Sequence, residues 1–209
     1  SELEKKKIKK LYKVNTTNLN NGISKKIIKF QKKKILKFDY IIYCGSYKYL
    51  PNKFAIDFLV KKIMPPLVKH NPKLKLVLTG GGYSEKNNFL INLGIVKKSH
   101  LLNFIYNSIA MVVPLDKGTG TRIKIIEALT VGGFVLSTSK GAEGIKFYGK
   151  ENTNLIILKK NNFIKYLRKM FKLNYKSKVS SIFQKKYLME NIVNKFLNEK
   201  NVKNLIKKN

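Results

Sequence analysis

Five short apolar runs, "FDYIIYCGS", "LKLVLTGGG", "IAMVVP", "GGFVLST" and "NLIIL", recur along the chain with helical patterns between them. That alternation constrains the fold more than any other feature. Strands alternating with helices predict an α/β, Rossmann-like parallel sheet flanked by helices on both faces. Pro51 and Asn52 open a helix expected to run to His70, with Phe54, Ile56, Phe58, Leu59, Ile63 and Leu67 as its apolar positions. A polar helix is expected after Gly82, a short strand at "GIV", and helices near 99–107 and 121–131. Two C-terminal helices, 160–173 and 179–207, complete the reading. In the first, Phe163, Leu167, Met170 and Phe171 form a stripe suited to covering the sheet. Ligands of such sheets sit beyond the carboxyl ends of the strands. Three glycine-bearing loops fall at that edge: Gly45 and Ser46, Gly80 to Gly82, and Gly118 to Gly120.

The chain has 209 residues, which suits one domain with appendages. Its single cysteine, Cys44, allows no intrachain disulfide and reads as a small core residue of an intracellular, cytoplasmic protein. No Cys/His cluster has zinc spacing, and no apolar run is long enough to span a bilayer. The net charge of +33 admits two readings. Dense lysine can serve an anionic partner, with a membrane surface as good a candidate as nucleic acid. Alternatively it reflects composition alone, since only Arg122 and Arg168 among 44 basic residues are arginine. His70 and His100 stand in no motif and read as helix-terminal residues.

One of those two arginines lies in "GTGTRIKIIEAL", Gly118 to Leu129. The stretch matches neither the dinucleotide nor the P-loop fingerprint, having Ile123 where a third glycine is required. A loop between a strand end and a helix start nevertheless offers free backbone N–H groups and the positive end of the helix dipole. Gly118 and Gly120 allow close backbone approach to an anion. Thr119 and Thr121 can cap the helix or donate hydroxyls, and Arg122 adds a planar fork suited to phosphate. The competing reading is a plain strand-to-helix turn. Glu127 leans toward the same crevice and can accept from sugar hydroxyls, or else pair with Lys124 on the helix surface. Glu143, in "GAEG", sits on a loop at the same edge, as a sugar or acceptor contact or as ordinary turn chemistry.

The block Val112 to Ile145, "VVPLDKGTGTRIKIIEALTVGGFVLSTSKGAEGI", resembles the donor-binding half of group 1 (family 4) glycosyltransferases of the GT-B fold. "CGSYKYLPNKFAIDFL" looks like the family's first strand and helix, "LVLTGGG" like its next strand, and "NNGIS" like the linker entering this domain. The resemblance covers about residues 10–175. It divides the chain into 1–24, the end of an acceptor domain and a linker; 25–175, the donor domain; and 176–209, a helical extension.

What the resemblance implies is a nucleotide-sugar donor whose ribose is held by Glu127. Its diphosphate is held by the loop amides with Arg122, and Lys124, Gly45, Ser46, Gly80 and Gly81 complete the donor site. The implied reaction is sugar transfer with retention to a glycan or lipid-linked acceptor, with no cofactor and no metal required. Two family positions differ: a second glutamate is replaced by Thr119, and an Arg/Lys grip after the first strand by Ser46. The acceptor half of a GT-B enzyme is not in this sequence, so the chain is expected to bind donor and transfer poorly alone. Two other readings stay open, a basic non-enzymatic module for nucleic acid or anionic membrane, and a nucleotide-sugar epimerase of related architecture.

Overall fold

The computed structural model describes residues 2–14, 16–17, 19–145, 154–172 and 180–199. Six strands form one sheet, all neighbours parallel, in the order β3-β2-β1-β4-β5-β6. They are β1 Tyr40–Cys44, β2 Lys75–Thr79, β3 Leu90–Asn92, β4 Ala110–Val113, β5 Val135–Ser137 and β6 Leu155–Ile157. The expected α/β parallel architecture is therefore present. Continuous apolar runs suit these strands because helices cover both faces; Ile41, Ile42, Val77, Met111 and Val112 are wholly buried. The strand order reverses between β1 and β4, and their carboxyl ends flank the crevice where such sheets bind ligands.

The helices are α1 Glu2–Tyr12, α2 Lys25–Ile28, α3 Leu50–Phe58, α4 Met64–Val68, α5 Lys98–Asn107, α6 Ile123–Val131, α7 Phe163–Lys172, α8 Ser181–Tyr187 and α9 Met189–Leu197. The predicted helix after Pro51 forms, but a π-helical turn, Leu59–Ile63, separates α3 from α4. Pro65 and Pro66 supply the cause: each lacks an N–H and crowds the carbonyl four residues earlier, so the preceding turn widens. Ile56, Leu59, Ile63 and Leu67 are buried as their spacing predicts, whereas Phe54 is 48 % exposed. In α7, Phe163, Leu167 and Met170 are buried, and Arg168 donates to the Pro66 carbonyl at 3.2 Å.

Three expectations are corrected. Residues 83–88 form a loop, not a polar helix. Its local hydrogen bonds compete with helix: Tyr83 Oη donates to Glu85, and Asn92 Nδ2 donates back to the Tyr83 carbonyl. The third outer strand is Leu90–Asn92, paired with Leu76–Leu78, and "GIV" follows it as irregular chain. Finally, the stretch expected as one helix from 179 breaks at Leu188, which is extended at φ −60°, ψ 127°. Leu188 pairs in parallel with Ile23, whose N–H donates to Tyr187 and whose carbonyl accepts from Met189. A tertiary pairing thus overrides helical propensity. The end of that predicted helix and the 175/176 boundary lie outside the described residues.

Candidate active site

The three glycine loops meet. Gly45 N–H donates to Thr79 at 2.8 Å, and Tyr47 N–H to the Gly81 carbonyl at 3.0 Å, so the loops after β1 and β2 are laced together. Gly80, at φ +111°, lies so close that an added Cβ would come within 2.5 Å of the Gly45 carbonyl carbon. Gly118 approaches from β4, where a Cβ would stand 3.3 Å from Tyr49 Oη and 3.4 Å from Pro51. The carboxyl ends of β1, β2 and β4 therefore form one glycine-lined wall, as the sequence predicts.

The loop before α6 is braced on several sides. Lys160 pairs with Asp116, and the Lys117 ammonium stands 5.9 Å from the exposed Phe54 ring. The Arg122 guanidinium folds back over Gly118, donating through Nη1 to the Thr119 carbonyl and through Nη2 to that of Lys117 at 3.5 Å. Its Nε–H is enclosed without a hydrogen-bond partner. The expected threonine cap is not formed. Arg122 itself occupies the position before the first helical residue, extended and without a side-chain cap, while Thr121 lies against Gly144 of the next loop. The first turn of α6 thus keeps N–H groups without a side-chain cap.

Lys124 and Glu127 diverge on α6. Lys124 reaches across the sheet edge, donating to the Cys44 carbonyl at 2.5 Å, with Asn52 Oδ1 at 3.3 Å and Tyr43 Oη at 3.4 Å. Its ammonium also lies 4.5 Å from the Tyr43 ring centre, a cation–π distance. Burial pushes its pKa down to about 8, partly offset by Cys44 and reinforced by Arg122. Glu127 does not pair with Lys124; it receives Lys98, at the start of α5, at 2.5 Å. Sequence reasoning missed Lys98, since no motif marks it and its contact depends on α5 packing against α6.

At the floor of the crevice the Cys44 thiol is buried, as expected, and its pKa is pushed up to about 11 by burial. Thr79, Lys124, Glu127 and Lys98 all perturb it, which places the two ammoniums and the carboxylate around the end of β1. Asn52, which the sequence marks only as part of a helix start, is a second site residue. Its Oδ1 accepts from Tyr43 Oη at 2.7 Å and its Nδ2 donates to Ser46 at 3.0 Å. Asn52→Ala is expected to destabilise the fold by about 2 kcal/mol, because it strands a buried phenol, and denaturant titration measures the loss.

Glu143 pairs with Lys140 at 2.7 Å, while His70 lies exposed in the turn after α4 and His100 exposed in the first turn of α5. Among the described residues no group of three or more His, Cys, Asp or Glu could hold a metal ion, and no helix is long and apolar enough to cross a membrane.

A family model described as glycosyl transferases group 1 matches residues 39–173. A Klebsiella pneumoniae protein, described only as an uncharacterized 44.6 kDa protein in the cps region, is 28 % identical over 117 residues. That match spans 50 % of this chain and 30 % of the relative. Among solved structures, the pneumococcal O-GlcNAc transferase GtfA, in complex with UDP and GlcNAc, superposes with a TM-score of 0.62 at 13 % identity. The superposition covers 99 % of this chain and 44 % of the enzyme. The C-terminal domain of a group 1 glycosyl transferase protein, LpcC, from Francisella tularensis has a TM-score of 0.52 at 14 % identity. It is matched over 98 % of its length by 86 % of this chain. The chain thus spans less than half the length of the first two.

Proposed function

The chain belongs to the group 1 glycosyl transferases, and from that premise we propose that its crevice binds the diphosphate and ribose of a nucleotide-sugar donor. The observation that carries the reading is the start of α6, which has no side-chain cap and lies directly after the Gly118–Gly120 loop, with the Arg122 guanidinium folded beside that loop. An oxyanion there would meet a guanidinium donor, free backbone N–H groups and the positive end of the helix dipole at once. Lys124 brings a second cation from behind, already desolvated, and Glu127 offers a carboxylate to the ribose hydroxyls. Gly45, Ser46, Gly80, Gly81, Gly118, Thr119, Gly120 and Thr121 line the approach.

In the proposed reaction the anomeric carbon–oxygen bond breaks and negative charge grows on the departing diphosphate. Fixed donors and cations stabilise that charge more than the ground state. Arg122 and Lys124 take this role without a metal, and the sugar passes with retention to a glycan or lipid-linked acceptor. The acceptor is held by a facing domain, so the donor domain alone transfers weakly. Cytoplasmic placement with peripheral contact at an anionic membrane face belongs to the same proposal; it is supported by α1, which exposes Leu11 and Tyr12 among lysines. Nucleic acid has no part in it.

Titration calorimetry with UDP, GDP and ADP tests the donor site. At least one is expected to bind with millimolar or tighter affinity. Arg122→Ala and Glu127→Ala are each expected to weaken it about tenfold or more, the scale of one charged hydrogen bond. Absence of binding to all three would remove the reading.

A further inference from the structure

Lys98 is at odds with its own position. It is the first residue of α5, preceded by Lys97, which forms no side-chain cap, and the first turn contains no acidic residue. Two ammonium groups therefore sit at the positive end of a helix dipole, where carboxylates and capping oxygens are favoured. Local structure does not account for a lysine there. Its reach does: Nζ lies 2.5 Å from Glu127 Oε1, with the lysine side chain 50 % exposed and that of the glutamate only 12 %. Lys124, three residues before Glu127 on the same helix, is committed to the end of β1 and does not compete.

We propose that Lys98 is a positioning residue for the donor site. It holds Oε1 of Glu127 and fixes the rotation of the carboxylate, so that Oε2 accepts from the ribose hydroxyls. The inference rests on Glu127 being the ribose ligand. It adds that ribose recognition depends on a cation from a neighbouring helix, which itself touches no part of the donor. A carboxylate free to rotate would lose hydrogen-bond geometry on binding; one held by an ion pair is set beforehand.

Calorimetry of UDP, GDP and ADP, each beside its 2′,3′-dideoxy form, separates this from simple charge attraction. The wild type is expected to prefer the ribose form of its best ligand by about tenfold or more, and Glu127→Gln to lose most of that preference. Lys98→Met is expected to lose most of it too, weakening the ribose form about five- to tenfold while leaving the dideoxy form nearly unchanged. Lys98→Arg, which restores a cation, is expected to retain the preference. A Lys98→Met protein that weakens both forms equally, binds both as before, or tightens on the ribose form would overturn the positioning role. In each of those cases the Glu127 reading survives. A wild type indifferent to the ribose hydroxyls would instead overturn the Glu127 reading, and the role of Lys98 with it. Lys98→Arg is expected to melt with the wild type, whereas Lys98→Met, which leaves a largely buried carboxylate without its cation, is expected to melt a few degrees lower while still folding.

Discussion

Gly80→Ala is expected to cost at least about 3 kcal/mol of stability and to abolish nucleotide binding. Two penalties combine. The residue sits at φ +111°, where a side chain is strained, and its Cβ would stand 2.5 Å from the Gly45 carbonyl carbon, 2.7 Å from Ser46 N and 2.8 Å from the Gly45 oxygen. All three are backbone atoms, so no side chain can swing away; the loops after β1 and β2 must part. Gly94→Ala provides the contrast. It has φ +60° but nothing within 4 Å of the new Cβ, so only the conformational cost of about 1 kcal/mol remains. Thermal denaturation of the two variants, with calorimetry on whichever folds, reads the difference. Equal losses would mean that the glycine wall has slack.

Nucleoside diphosphate affinity is expected to fall about tenfold for each pH unit between roughly 8 and the ordinary lysine range, and to level off just below 8, before the terminal phosphate's own titration at about pH 6 begins. The cause is Lys124, whose pKa burial holds down to about 8 against an ordinary 10.5. A bound diphosphate favours the ammonium and pushes that value back up, so binding above pH 8 takes up a proton. The groups facing Lys124 are Tyr43, Cys44 and Asn52 on one side and Arg122 on its own; among them Arg122 adds to the downward pressure. Calorimetry near pH 9 in buffers of different ionisation heat is expected to count close to one proton per nucleotide. The free protein shows the mirror image. Between pH 8 and the ordinary lysine pKa the unfolded chain binds the extra proton, so stability rises with pH by up to about 3 kcal/mol. Lys124→Met is expected to remove both dependences and to weaken binding at neutral pH. A wild-type affinity independent of pH across that range would show that Lys124 does not meet the diphosphate.

Much of this was legible in the sequence where a single element decides the outcome. The runs ending at Cys44, Thr79 and Val113 are strands because they are apolar, short and bounded by glycine or proline, and both faces of the sheet are covered. Their glycines announce a wall at one edge because only a backbone that must approach closely needs so many. Features that depend on two distant elements were not legible. Leu188 breaks a helix only because Ile23 comes to pair with it. The partner of Glu127 was sought on its own helix, where spacing allowed Lys124, yet packing of α5 on α6 supplied Lys98 instead. Lys124 reads in the sequence as a helix-surface partner of Glu127 or, by the resemblance, as a donor-site cation, and nothing in its neighbours shows that its ammonium is enclosed against Tyr43 and Cys44.

The pairing of Ile23 with Leu188 also bears on the order in which the molecule assembles. Residue 22 packs under α9, Lys25 reaches Glu190 at 2.5 Å, and Gln184 of α8 donates to Thr130 on α6. The segments that meet here lie at opposite ends of the described chain, so closing this seam carries a large loop-closure entropy unless the sheet has already drawn them together. Docking of α8 and α9 is therefore the expected last act of folding, with a transition state that lacks the seam. Substitutions such as Gly22→Leu, whose Cβ would meet Ile192 at 2.8 Å, should then speed unfolding while leaving the folding rate almost untouched.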